Sequence, residues 1–499
     1  MRTTTIRTLL VLACAFLIPP PAAAQQDECL TCHEMMDDAA ATAFTKGVHR
    51  RAGLTCASCH GGDATSDDME VGMSPARGFK GVPSGQDIST ACGKCHDDAE
   101  RMANFGYEGP TGQLTTLLGS AHSRHAGESK QLLLQCTDCH GAHGIRHAED
   151  PASPVSPLRV VELCSSCHSD PSYMRRYNPS LPTDQLAKYR TSVHGAQNLR
   201  GNSKTATCAD CHTAHDIRPA TESTSSVNAL NIPETCGRCH SDPEYMRGSD
   251  LPTTQLAEFR SSVHGKALLD RRELSAPSCN DCHGNHGAAP PNVASISNVC
   301  GTCHALNADL FQQSRHATEF ARMGKPECET CHGNHAVQPA TLELLALDSG
   351  SPCADCHSES TAPQGYRAAM QMRMLLDSLM ETVATAEKRL DAAEQKGMEI
   401  DNIRFSLRDA RQARLQSRTA VHAFSLEKFR EVVDPGLAIA RQALVAAEDA
   451  NDEYYYRRHG LAVATLFITL TIVLLALHIR RIERRQKKER DTQGDHTVS

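Results

Sequence analysis

The 499-residue chain carries 51 Lys and Arg against 59 Asp and Glu, a formal net charge of −8. That balance argues against a nucleic-acid partner, which calls for a basic face. Aromatic residues are 4% and Trp is absent, so protein side chains alone would build a poor core over such a length.

Residues 1–24 read as a secretory signal peptide. Arg2 and Arg7 give the positive region, "TLLVLACAFLI" the apolar stretch and "PAAAQQ" a small-residue cleavage site after Ala24. A lipobox at "VLAC", ending on Cys14, competes with this reading, but the apolar run before that cysteine is too short. Export predicts that the chain beyond Ala24 enters the bacterial periplasm.

Residues 25–360 contain Cys-x-x-Cys-His eleven times, using 22 of the 23 cysteines. The pairs are Cys29 and Cys32, Cys56 and Cys59, Cys92 and Cys95, Cys136 and Cys139, Cys164 and Cys167, and Cys208 and Cys211. Further along come Cys236 and Cys239, Cys279 and Cys282, Cys300 and Cys303, Cys328 and Cys331, and Cys353 and Cys356. A Cys-x-x-Cys turn sets two sulfurs at the reach of the two vinyl groups of a porphyrin, and the adjacent His can ligate the iron. The motif therefore reads as a c-type haem attachment. Zinc knuckles also pair cysteines, but they have no need of a His after every second one. A disulfide framework has no such need either. The expected cofactor is eleven haem c groups, with His33, His60, His96, His140, His168, His212, His240, His283, His304, His332 and His357 as proximal ligands. The porphyrins themselves would form most of the apolar interior, so the region should not hold a compact fold without them.

This region is internally duplicated. "CHSDPSYMRRYNPSLPTDQLAKYRTSVHG" from Cys167 recurs as "CHSDPEYMRGSDLPTTQLAEFRSSVHG" from Cys239, a unit of two haems in roughly 72 residues. Two further kinds of His accompany it. One lies in Ser-x-His before a motif: His122, His194 and His264, with looser counterparts His49 and His316. The other stands three residues after the motif His: His143, His215, His286 and His335. A His so close to a proximal ligand cannot reach the far side of the same ring, but it can point to a neighbouring iron. With His125 and His147, the non-motif His in this region number eleven, equal to the motifs, so bis-His ligation of most irons is expected. His125 and His147 are also read as surface side chains. Met174 and Met246 are rival ligands, which would raise a haem's potential, or packing residues.

Residues 361–458 change character to Ala, Glu, Arg and Leu. Met372, Leu375, Leu379, Val383, Ala386, Leu390 and Ala393 step with helical period, and Gly397 stands where a C-terminal cap would fall. A second helix is expected from about Asn402 to Val432, broken by "DPG" at Asp434 to Gly436. His422 on that helix is a candidate distal ligand; structural support or oligomerisation is the other reading of this stalk. Residues 459–480 read as a transmembrane helix, because Gly460 to Ile479 contains no Asp, Glu, Lys or Arg. The basic tail, residues 481–499, predicts a cytoplasmic C-terminus and a single inner-membrane anchor. His459 and His478 fall at opposite ends of the span and read as interfacial.

The expected fold class is thus mainly α with extensive loops: a multihaem cytochrome c array, a long helical hairpin and one C-terminal transmembrane helix. The Cys-x-x-Cys-His pairs, the Cys-x-x-Cys-His-x-x-His pattern and the long C-terminal helices resemble periplasmic multihaem cytochromes c of the hydroxylamine oxidoreductase and octahaem reductase superfamily. The resemblance spans about residues 29–456 and implies either an electron carrier or an enzyme acting on a small nitrogen or sulfur compound. No Cys-x-x-Cys-Lys occurs, unlike the ammonia-forming nitrite reductases, and nothing marks Tyr366 or Tyr454 to Tyr456 as a haem crosslinker. No catalytic residue is therefore assigned. The function expected is a membrane-anchored relay in a respiratory chain, between a quinone-linked membrane complex and a periplasmic or outer-membrane acceptor. The alternative is a multihaem oxidoreductase with one open distal site. A helical receptor is a third reading, resting only on the stalk, the span and the tail. The sequence leaves oligomeric state open.

Overall fold

The computed structural model describes residues 27–126, 129–291, 296–348 and 350–494. The expected signal peptide with Cys14, and the last residues of the basic tail, lie outside the described residues. Within them the chain is mainly helical. One antiparallel hairpin pairs Ser123–Ala126 with Ser129–Leu132, so that Ser123 faces Leu132. The chain divides into two compact units after Pro290, inside the segment read from the sequence as one haem region.

In the first unit no described helix exceeds the 11 residues of Gln86–His96. Helices this short are marginal in isolation, so they need something to pack on. Protein side chains supply little of it: Leu30, Ala41 and Phe44 form one small buried cluster. Much of what is buried is serine, including Ser89, Ser153, Ser156, Ser192, Ser225 and Ser262. These hydroxyls fix corners. Ser192 caps the helix Val193–Leu199 by accepting from the Gly195 amide at 2.9 Å, while donating to the Tyr189 carbonyl at 2.6 Å. Ser262 repeats the arrangement with Gly265 and Phe259. Each cap satisfies an amide that would otherwise be orphaned at a helix start.

The second unit holds the main apolar core, a three-helix bundle. Its helices are Pro363–Glu394, Asp401–Ala420 and Leu426–Gly494. The first buries Met372, Leu376, Leu379, Val383, Ala386, Leu390 and Ala393. It ends at Gly397, whose φ is +77°, with the Met398 amide donating back to the Ala393 carbonyl. Leu407 and Ala410 from the second helix, and Phe429, Val433 and Ala440 from the third, complete the core. Arg404 bonds Asp391 and Glu394, Arg411 bonds Glu387, and Arg389 bonds Glu448 along the bundle's surface.

The expected helix break at Asp434 to Gly436 is not there. Pro435 lies inside the third helix, and the chain instead reverses through a short turn at Val421–Ala423 and Phe424, whose φ is +47°. The reason is tertiary packing. A Cβ on Gly436 would stand 2.3 Å from the Ala413 Cβ, so the glycine lets the second and third helices approach closely. The third helix then continues for 69 residues. It is long and apolar enough to cross a membrane, and Leu466, Phe467 and Leu474 on its apolar stretch are exposed.

Candidate haem-binding histidine pairs

Cys136–His140, Cys208–His212 and Cys279–His283 are each one short helix whose own Asp accepts from the backbone amide just before the motif, at 2.6, 2.7 and 2.7 Å. Gln135 pairs with Asp138, Thr207 with Asp210 and Ser278 with Asp281. The acidic residue inside these three motifs thus has a structural task, and sequence reasoning missed it. Immediately after the motif His the backbone turns sharply. Gly141 has φ +75°, and Thr213 at the same position has φ +66°. The turn carries the His three residues on away from its own motif.

The structure brings motif and non-motif His together in pairs. Ring centres are 6.1 Å apart for His49 with His96, His60 with His143, His122 with His168, and His140 with His215. The same 6.1 Å separates His194 from His240, His212 from His286, and His332 from His422. His316 and His357 are 5.9 Å apart. Each pair joins one motif His to one outside the motifs. The interplanar angles, however, run from 12° to 72°. A fixed distance with a free angle is not ring packing, which prefers particular orientations. It is the signature of two nitrogens aimed at one point. Two metal–nitrogen bonds of about 2 Å, plus the offset from each nitrogen to its ring centre, come to roughly 6 Å. The gap therefore fits one metal ion held from both sides. Among the described residues no group of three or more His, Cys, Asp or Glu could hold a bare ion. A ring that brings its own four nitrogens and takes two imidazoles suits this donor set; tetrahedral zinc does not.

The pairing obeys a rule that linear sequence hid. His49, His122, His194 and His316 each meet the second motif His downstream. His143, His215 and His286 each meet the motif His two motifs before their own. His264, His283, His304 and His335 also have interaction partners. His147 is exposed, and the His125 side chain lies outside the described residues. Met174 is buried in the helix Pro171–Met174, while the motif His beside it, His168, faces His122. Burial holds His49, His122, His194, His240, His332 and His422 below the ordinary imidazole range, which keeps a nitrogen lone pair available.

The opposite ring nitrogens are oriented too. His60 and His422 set Nδ1 against the carbonyls of Gly81 at 2.9 Å and Thr419 at 3.1 Å. The His316 ring lies 3.9 Å from that of Phe424, tilted by 37°, beside Phe311 and Phe320.

The motif sulfurs form no disulfides among the described residues. They adjoin in sequence order. Cys92 lies beside Cys136, Cys164 beside Cys208, Cys236 beside Cys279 and Cys300 beside Cys328. Between those contacts Cys29 lies near Cys56, Cys59 near Cys95, Cys139 near Cys167, Cys211 near Cys239 and Cys331 near Cys356 as well as Cys353. First cysteines and second cysteines alternate, so within each unit consecutive motifs are neighbours.

Residues 48–169 match the family described as cytochrome c3, and residues 16–61 match cytochrome c554 and c-prime. The multiheme cytochrome MtrA of Shewanella baltica (strain OS185) is 26% identical over 278 residues, which cover 53% of this chain and 67% of that protein. No solved structure matches. These matches bear out the multihaem c-type cytochrome part of the resemblance read from the motifs and do not reach its hydroxylamine oxidoreductase part. The matches support a multihaem c-type cytochrome with covalently bound haem c and a role in electron transfer.

Proposed function

We propose that the chain is a membrane-anchored periplasmic cytochrome that passes electrons along eleven covalently bound haems in a respiratory chain. The observation that carries this reading is the recurrence of one 6.1 Å imidazole spacing at seven motifs, whatever the angle between the rings. Haem c supplies one-electron exchange between ferric and ferrous iron when bound. The chain does the rest. Its 22 motif cysteines would tether the porphyrins, the eleven motif His would ligate their irons, and His49, His122, His143, His194, His215, His286, His316 and His422 would supply a second imidazole to eight of them. Closing both faces with imidazole keeps reagents off those irons and sets their potentials. The adjoining motif sulfurs support a relay that runs in sequence order within each unit.

The long apolar helix supports a single C-terminal anchor, with the basic tail cytoplasmic and the haem region periplasmic. The donor is then a quinone-linked membrane complex and the acceptor a periplasmic or outer-membrane redox protein. The purified full-length protein tests this directly. Haem assay and intact mass should give eleven haems per chain, and paramagnetic resonance should give chiefly low-spin ferric iron. His422→Ala should convert one haem from low to high spin while leaving the haem count intact. A colourless protein, or a count far from eleven, would sink the reading.

A further inference from the structure

We propose that the iron held by His33 keeps its sixth position free for a small exogenous ligand, a π-accepting diatomic or compact anion. This rests on the haem reading above. Eight motif imidazoles face a partner ring at 5.9 or 6.1 Å, and His283 and His304 have interactions of their own. His33 faces no partner ring among the described residues. Of the non-motif His, His143 lies near Asp38 but faces His60, and His49, the closest in sequence, faces His96.

What His33 has instead is a carboxylate. Its Nδ1 lies 2.7 Å from Asp38 Oδ2. Asp38 is held in place as the cap of the helix Ala39–Thr45, where its Oδ1 accepts from the Ala40 amide at 2.8 Å. His60 and His422 give the corresponding nitrogen only a backbone carbonyl. A carboxylate draws the ring proton toward itself, makes the imidazole a stronger donor and fixes its orientation. A donor-rich iron binds π-accepting ligands firmly in its reduced form. The site stands at one end of the sulfur order, with Cys56 as its neighbour. An open iron at such an end can exchange a ligand without interrupting the relay.

The test uses the full-length holoprotein in detergent. Expected are a high-spin ferric component amounting to one haem of the eleven, and one carbon monoxide bound per reduced chain. The Cys29→Ala/Cys32→Ala double variant should lose that component and the carbon monoxide binding, leaving the other ten haems low spin. Asp38→Asn should keep the full haem count but raise the carbon–oxygen stretching frequency of the bound carbon monoxide. His125→Ala and His147→Ala should change neither spin state nor stoichiometry. Full haem content with no high-spin iron and no carbon monoxide binding overturns the proposal. So does a gain of binding in either His variant, or binding that survives in the double variant. A haem count well below eleven strikes the relay reading instead.

Discussion

Thr213 sits where Gly61, Gly141, Gly284 and Gly333 stand after other motifs. Its φ of +66° and ψ of 176° belong to a region that side chains rarely tolerate, at a cost of order 1–3 kcal/mol. Thr213→Gly should raise the denaturant midpoint for loss of the haem absorption band by about 1 kcal/mol equivalent, after allowing for the entropy glycine adds to the unfolded chain. An unchanged or lower midpoint would count against the strain. The motif His were legible because attachment chemistry is contiguous: Cys, Cys and His adjoin in the chain. Their partners were legible only as a class. That His215 meets His140 rather than the adjacent His168 depends on how loops fold back, and no local periodicity encodes it.

At the scale of elements, the helical periodicity from Met372 to Ala393 marked a face that the bundle buries, except that Leu376 takes the core position expected of Leu375, which is only partly buried. The "DPG" signal misled because local turn preference was overridden by packing between helices. A proline inside a helix loses one backbone hydrogen bond, yet the third helix runs on unbroken through it where the second helix presses close at Ala413. Gly436→Val should force those helices apart and cost about 1–3 kcal/mol, as overpacking of a filled core does. Thermal unfolding monitored by circular dichroism would read this as a lower midpoint; no shift would mean the close approach is dispensable. The turn after the second helix matters in another way, since it carries both His422 and Phe424. The bundle therefore contributes an imidazole opposite His332 and an aromatic face under His316.

At the scale of the whole molecule, the scarcity of aromatic residues anticipated an interior built on something other than side chains, and the first unit's serine corners fit that expectation. Anchoring can be separated from electron transfer by truncation. A chain ending at Arg458 should leave the membrane fraction without detergent and keep its haem content and low-spin spectrum. Retention in the membrane would contradict a single C-terminal anchor. The unbroken third helix sets one more condition. From Leu426, just past the turn that bears His422, to the start of the apolar stretch at Gly460, it climbs roughly 50 Å. The bundle is in that sense a mast. If the apolar stretch is the proposed anchor and His422 holds a haem, an electron cannot jump such a height from within the lipid, and whatever feeds the His422 end must then itself stand tall above the bilayer, or arrive by diffusion.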